Sequence, residues 1–158
     1  MFSALNNLFG RSKTTVASAP AADREAFLRQ IGASSIFVIA AMQGDGIDPR
    51  GMTKEQLLAE IQRAAKDLSE RQGFAPFVYE ADGHRRLPFF TSNDHAKAFC
   101  GEYSKQRNRV YPFQLLGVKG TLLAKMLSAC DLLVMNDRSP DEVVLSKDDM
   151  TAIQRMWG

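Results

Sequence analysis

The stretch GHRRLPFFTSNDHAKAF concentrates the reactive side chains of this chain. It holds both histidines, His84 and His95, together with Arg85 and Arg86, and Cys100 follows directly after it. A cysteine and a histidine can form a nucleophile and its base. The spacing argues against such a pair, because His95 and Cys100 are five residues apart and would lie about 140° from each other around a helix. We therefore interpret His84, Arg85, Arg86 and His95 as a polar rim that recognises a partner, and we predict no catalytic residue.

A metal site is not expected from the remaining ligand-type residues. Two histidines and two cysteines, Cys100 and Cys130, show no zinc-type spacing. The loop GDGIDPRG offers Asp45 and Asp48, but it lacks the further acidic ligands of a calcium loop. The sequence therefore predicts neither a metal nor a cofactor.

The turn GVKGT offers a different chemistry, which is anion binding. It is predicted to join a strand to a helix, where a phosphate can meet a helix N-terminus. It lacks the length and the final Lys-Ser/Thr of a P-loop. Two interpretations stay open: a turn chosen for its backbone geometry, or an anion site formed by Gly117, Lys119, Gly120 and Thr121.

Basic side chains recur along the chain, but the overall charge is balanced. Twenty basic and 18 acidic residues give a formal charge of +2, which predicts no general attraction to nucleic acid or to an anionic membrane. We interpret the arginines and lysines as solvated and do not expect a nucleic-acid partner. The residues in question are Arg85, Arg86, Lys105, Arg107, Arg109, Lys119 and Lys125.

The elements that position these residues alternate between helical and strand patterns from Ala22 onward. This alternation predicts an α/β (α+β) fold, with a mixed sheet of about five to six strands covered by about four to five helices. Strands are predicted at 35–42, 77–80, 86–90, 111–118, 131–135 and 143–145. Five helices are predicted: one at 23–31, one from 53 to a stop at Gly73, one from 92 to the basic end at 105–109, one after GVKGT, and one from 146 onward.

Three helix starts have side chains typical of capping. Thr53 and Gln56 form the pattern of a capping box, and Ser92 and Ser146 each stand at a predicted N-cap. The helix after Thr53 is the strongest of these predictions, because its apolar residues follow helical spacing over several turns. They are Leu57, Leu58, Ile61, Ala64, Ala65 and Leu68.

The N-terminal segment differs in composition from the rest of the chain. Residues 1–21 are predicted to be an arm and linker, and 22–157 a single domain. The acid-poor, Ser/Thr-rich arm is open to two interpretations: an organelle transit peptide, or a short amphipathic peptide that docks on a partner or on its own domain. Its apolar residues at helical spacing are Phe2, Leu5, Leu8 and Phe9.

Size and cysteine content place the chain among ordinary globular domains. A chain of 158 residues can bury one core without disulfides. Two cysteines are too few for a disulfide scaffold, so we expect reduced thiols and a cytoplasmic location. The apolar runs are far shorter than the roughly 20 residues of a spanning helix, so no membrane insertion is expected.

Three stretches of the chain carry a family resemblance: ADREAFLRQIGASSIFVIA, LPFFTSNDHAKAF after an acidic turn, and LLVMNDRSPDEVVLSKDDMTAI. Together they resemble the N-terminal domain of the SseB family, named for enhanced serine sensitivity. The resemblance implies a small cytosolic bacterial α/β domain without an agreed active site. One departure concerns Asn136, which in the family is usually followed by proline; here Asp137, Arg138 and Ser139 stand before Pro140.

These observations predict a non-enzymatic protein-interaction or regulatory module whose partner is a protein. The alternatives are a small-ligand-binding domain, or a minor hydrolase or transferase that uses the GVKGT turn. The first hypothesis follows from a complete framework of helices and strands without a nucleophile and base or a metal constellation.

Overall fold

The structure, a computed structural model, describes residues 21–40, 46–70 and 75–158. The described residues form four α-helices and six β-strands. The helices are α1 (Ala21–Ala33), α2 (Lys54–Glu70), α3 (Asn93–Arg107) and α4 (Lys147–Trp157). The strands are β1 (Ser35–Ala40), β2 (Tyr79–Ala81), β3 (His84–Phe90), β4 (Gln114–Lys119), β5 (Leu132–Met135) and β6 (Val143–Leu145).

The six strands form one mixed sheet in the order β4-β1-β3-β5-β6, and β2 also pairs with β3. The pairing of β3 with β5 is parallel, with Leu87 opposite Leu133, and the other pairs are antiparallel. The predicted fold class, a mixed sheet of five to six strands in a single α+β domain, is confirmed.

One face of the sheet carries the principal core, which we define as the buried cluster beneath α1, α4 and the turns that follow β4. Alternate residues of the strands supply it, as the period of two in a strand requires. Trp157 of α4 packs against it, and the Trp157 ring lies directly over Gly32 at the end of α1. The strand residues of the principal core are Ile36, Val38, Leu87, Phe89, Leu133, Met135, Val143 and Leu145.

The opposite face carries a second cluster, which we call the aromatic cluster. Helix α3 covers it with Ala96, Phe99 and Tyr103, which follow the predicted helical spacing. Neighbouring ring centroids lie between 5.2 Å and 6.3 Å apart, the range in which aromatic pairs attract each other. The other rings of this cluster are Phe37, Phe77, Tyr79, Phe90, Tyr111 and Phe113.

The three predicted helix caps are confirmed. Ser92 accepts a hydrogen bond from the His95 amide, and Thr53 and Gln56 bond reciprocally at the start of α2. At the start of α4, Ser146 and Asp149 form a capping box. Asp149 is fully buried and also accepts two hydrogen bonds from the Arg24 guanidinium, at 2.6 Å and 2.9 Å. The cap of α4 therefore also joins α4 to α1.

Helix α2 has the predicted amphipathic pattern but belongs to neither buried cluster. Leu57, Ile61 and Ala64 are half-buried, whereas Leu58 is 55% exposed. The prediction of this helix is confirmed. Its apolar stripe, however, does not form part of the two clusters that hold the described sheet and helices together.

One predicted helix is wrong in type. After β4 the chain forms two 3-10 turns, Gly120–Lys125 and Leu127–Ala129, in place of an α-helix. Leu123 and Met126 are buried as predicted. A 3-10 helix has three residues per turn and poorer hydrogen-bond geometry than an α-helix, so segments of this type stay short. Some residues named in the predictions lie outside the described residues. They are Phe2, Leu5, Leu8 and Phe9 of the arm, Asp45 of the loop and Gly73, the predicted helix stop.

Candidate functional site

The four residues predicted as a polar rim lie at two ends of β3. His84 and Arg85 are exposed at its start, where Arg85 pairs with Asp131 at 3.1 Å. His95 lies in the first turn of α3, beyond the end of β3, with its Nε2 atom 3.6 Å from Asp141. A strand of this length spans about 20 Å, so the structure does not bring His84 and His95 together.

Both thiols are poor nucleophiles in this fold. Burial raises the pKa of Cys100 to about 12, and burial raises the pKa of Cys130 to about 11. The thiolate is the reactive form, and neither cysteine forms it near neutral pH. Cys100 and Cys130 do not form a disulfide with each other in this structure. A cleft of about 440 Å³ is lined by Cys130 and by Lys147, but it contains no histidine.

The GVKGT residues belong to three different environments. Gly117 and Lys119 are exposed within β4, Gly120 is buried at the start of the first 3-10 turn, and Thr121 is half-buried behind it. A six-residue 3-10 turn does not present the aligned amide groups of an α-helix N-terminus. The buried Gly120 fits the interpretation based on backbone geometry, because its Cα lies against the backbone of Ile31.

The basic residues considered for nucleic-acid binding have acidic neighbours in several cases. Arg85 pairs with Asp131, Arg86 lies 3.7 Å from Asp82, and Arg109 lies 3.9 Å from Asp48. These carboxylates reduce the positive potential that a phosphate backbone would meet.

A set of polar residues, of which the sequence patterns singled out only Arg86, does come together at one end of the aromatic cluster. The Tyr79 hydroxyl donates a hydrogen bond to the buried carboxylate of Asp137. The Arg138 guanidinium lies over the rings of Tyr79, Phe99 and Tyr103, with its central carbon 5.2 Å to 5.5 Å from their centroids. We call Tyr79, Arg86, Asp137 and Arg138 the tyrosine-aspartate cluster.

The turn after β5 folds these residues back over the sheet. Asn136 and Arg138 adopt positive φ angles of 49° and 61°, a conformation that asparagine tolerates better than most residues. The Asn136 side chain accepts a hydrogen bond of 2.9 Å from the Thr91 amide, which ties the turn to the corner after β3. Arg138 also donates to Gln106 of α3 at 2.6 Å.

Burial controls the ionisation of the tyrosine-aspartate cluster. Desolvation raises the pKa of Asp137 to about 6, helped by the nearby Glu142 carboxylate and opposed by the Tyr79 hydrogen bond and by Arg138 and Arg86. The pKa of Tyr79 rises to about 12, through burial and the same hydrogen bond.

The fourth member of this cluster, Arg86, lies directly opposite Tyr79 in the paired strands. Its Nε atom is buried and has no hydrogen-bond partner among the described residues. A carboxyl group that titrates near neutral pH can act as a general acid or base. Asp137, however, is only 3% exposed, so a substrate cannot reach it in this conformation.

Replacing Asp137 with asparagine is expected to remove a pH dependence of stability. The folded-state pKa lies above the unfolded value, so the folded protein holds the proton more tightly, and stability falls as pH rises from about 4 to about 6. Between about pH 4.5 and pH 7.5 the free energy of unfolding of the wild-type protein should fall by about 2 kcal/mol more than that of the Asp137→Asn variant (D137N). Urea unfolding at both pH values measures this difference, and equal losses in the two proteins would contradict it.

The sequence contained one signal for this cluster, which is the departure from the usual Asn-Pro pattern after β5. Two of the three residues between Asn136 and Pro140 contact the aromatic cluster: Asp137 accepts the hydrogen bond of the Tyr79 hydroxyl, and Arg138 lies over the Tyr79 ring. Nothing in the local pattern indicated Tyr79, because its contact with Asp137 joins residues 58 positions apart.

Two absences apply to the residues that the structure describes. Among them, no group of three or more histidine, cysteine, aspartate or glutamate side chains is arranged to hold a metal ion. The same described residues include no helix with the length and apolar character needed to cross a membrane.

Comparison with known proteins gives one match. A family model described as the SseB protein N-terminal domain matches residues 14–152, which is most of the chain. No curated protein and no solved structure matches the chain.

Proposed function

Because this chain belongs to the SseB family through its N-terminal domain, we propose that it is a non-enzymatic protein-interaction or regulatory module. The observation that carries the proposal is the surface of α2. Among the described residues, the large apolar side chains that are exposed are Met52 and Leu58. Met52 lies just before this helix and Leu58 lies in its first turns, so both mark the same end of α2.

The α2 surface combines apolar exposure with a regular helical spacing. Leu57, Leu58, Ile61 and Ala65 recur at intervals of one turn, which is the pattern by which an amphipathic helix binds an apolar groove or another helix. Single exposed apolar residues are common on protein surfaces. Here Leu58 belongs to a stripe in which Leu57 and Ile61 are only half-buried and Ala65 is exposed, so the stripe offers a continuous contact surface.

The charged residues of α2 are largely paired with each other. Arg63 lies 2.8 Å from Glu60 and 3.5 Å from Asp67, and Lys66 lies 3.8 Å from Glu70. These pairs leave little net charge to attract a partner by electrostatics. We therefore propose that the partner presents an apolar helix face to the Met52 and Leu58 side of α2.

The environment of the reactive side chains supports a role without catalysis. Burial raises the pKa of both thiols, and Asp137 is enclosed. Enzymes that use covalent catalysis need a nucleophile and a base within hydrogen-bonding reach of each other. The two free thiols also support the proposed cytoplasmic location, since such thiols persist where the environment is reducing.

The test is affinity capture from the native lysate with a matched pair of variants of the full chain. Leu58→Glu should abolish capture of a stoichiometric protein partner, because a charge on the apolar stripe would have to be buried in the complex. Ala59→Glu adds the same charge at an exposed position on the side of the same helix that faces away from the stripe, and this variant should retain the partner. Both exposed substitutions should change the free energy of unfolding by about 0.5 kcal/mol or less.

Two outcomes would contradict the proposal. One is that wild-type protein and both variants capture the same proteins, which would exclude α2 as the contact. The other is catalytic turnover by the wild-type protein that is lost in His95→Ala, which would replace the interaction hypothesis by an enzymatic one.

A further inference from the structure

Strand β4 forms one edge of the sheet, and among the described residues no strand pairs with its outer side. It is six residues long, whereas β6 at the other edge has three residues. Natural sheets protect their edges with prolines, inward charges or short strands. β4 (QLLGVK) has no proline, and its single charge, Lys119, stands at its end.

The register of β4 with β1 determines which backbone groups point outward. The Gly120 amide donates to the Ser34 carbonyl at 2.9 Å, so Ser34 and Gly120 form a hydrogen-bonded pair. Such pairs alternate along an antiparallel ladder. Leu116 and Val118 therefore bond to β1, and the amide and carbonyl groups of Leu115, Gly117 and Lys119 point away from it.

A contact on the far side of β1 agrees with this alternation. Ile39, which lies opposite Leu115, directs its carbonyl group away from β4 and accepts a hydrogen bond of 2.7 Å from the Phe77 amide. No backbone hydrogen bond joins the outward groups of β4 to another described residue.

We propose that β4 pairs with β4 of a second copy of this chain, antiparallel about a two-fold axis at Gly117. In this register Gly117 faces Gly117 of the second copy, and Leu115 faces Lys119 of the second copy. All six outward groups are then used, because an antiparallel hydrogen-bonded pair exchanges two bonds. The two sheets become one continuous sheet.

The side chains on both faces suit this register. On the face of the principal core, the half-buried Leu116 packs beside Val118 of the second copy. On the other face, the apolar stem of Lys119 covers Leu115 of the second copy. The two Lys119 charges lie four residues apart along the strands, or about 14 Å, which exceeds the screening length of about 8 Å at physiological salt.

Glycine at the centre of this register gives the proposal a sharp test. A Cβ atom at Gly117 meets only the Phe37 ring, at an ordinary contact distance of 3.7 Å, so the single chain accepts a larger residue there. In the proposed dimer, two side chains at this position face each other about 5.5 Å apart at Cα. Like charges directly opposite are destabilising, so Gly117→Lys should weaken only the dimer.

The experiment is sedimentation equilibrium on the full chain and on three variants. The wild-type chain should show twice its mass of 17.5 kDa. Gly117→Lys and Gly117→Glu should each be monomeric, and an equimolar mixture of the two should regain the doubled mass. Gly101→Lys adds the same charge at an exposed, open position of α3 and should remain dimeric.

Hydrogen exchange of the β4 amides provides a second readout. In the dimer, the amides of Leu115, Gly117 and Lys119 should exchange as slowly as those of Leu116 and Val118, and only the first three should become fast in Gly117→Lys. A monomeric wild-type chain would overturn the proposal, as would a dimer that Gly117→Lys leaves intact. Slow exchange at all five residues in a monomer would also overturn it, because another segment of the chain would then cover the edge.

Discussion

Replacing Asp149 with alanine is expected to lower the free energy of unfolding by about 3 to 5 kcal/mol, because it leaves a buried ion pair without its anion. One carboxylate oxygen accepts two hydrogen bonds from Arg24. The other accepts hydrogen bonds from the amide and the hydroxyl of Ser146, at 2.8 Å and 2.9 Å. The variant therefore loses the side-chain half of the α4 capping box and the polar link between α1 and α4 in one step, whereas the residue-149 amide can still donate to Ser146.

The neighbouring residue supplies the control for this prediction. Asp148 lies in the same first turn of α4 and is exposed, so Asp148→Ala should cost only a few tenths of a kcal/mol, up to about 1, through the helix dipole. Urea unfolding of the wild-type protein and of the two variants compares the three free energies. Equal effects of D148A and D149A would mean that burial of the Asp149 carboxylate contributes nothing beyond its charge.

Replacing Gly120 with alanine is expected to destabilise the protein by about 3 kcal/mol, at the upper end of the usual cost of overpacking. A Cβ atom at this position would lie 1.8 Å from the carbonyl oxygen of Ile31 and 3.0 Å from the Cα of Gly32. Both are backbone atoms of α1, which cannot move aside as a side chain can. The substitution must therefore separate the first 3-10 turn from α1.

The same short motif contains the control, because Gly117 is exposed in β4. There an added Cβ meets only the Phe37 ring, at 3.7 Å, so Gly117→Ala should change stability little. Thermal unfolding followed by circular dichroism gives both values. A Gly120→Ala variant as stable as Gly117→Ala would show that α1 and the turn are not in close contact in solution.

Local patterns in the sequence predicted most of the fold. The caps at Thr53, Ser92 and Ser146 were visible because a capping box and an N-cap depend on residues three positions apart. The buried strands were visible because short apolar runs bounded by turn residues are typical of strands in a core. The boundaries were less accurate: the strand predicted at 77–80 is Tyr79–Ala81, and the strand predicted at 111–118 is Gln114–Lys119.

The parts that the sequence did not predict depend on contacts between distant residues. Leu122, Leu123 and Met126 have helical spacing, yet close packing of Gly120 on α1 accompanies 3-10 turns at this position. The bond between Tyr79 and Asp137 requires the turn after β5 to fold back over the sheet. Composition shows which side chains are present, but only the tertiary arrangement determines that Asp137 is buried.

The division of the sheet into a principal core and an aromatic cluster has an optical consequence. The chain has one tryptophan and three tyrosines. Trp157 packs on the principal core, whereas Tyr79, Tyr103 and Tyr111 all belong to the aromatic cluster. Tryptophan fluorescence therefore reports on one face of the sheet, and the near-ultraviolet dichroism of tyrosine reports on the other. Without any introduced label, coincidence of the two signals during unfolding shows whether both faces melt as one cooperative unit.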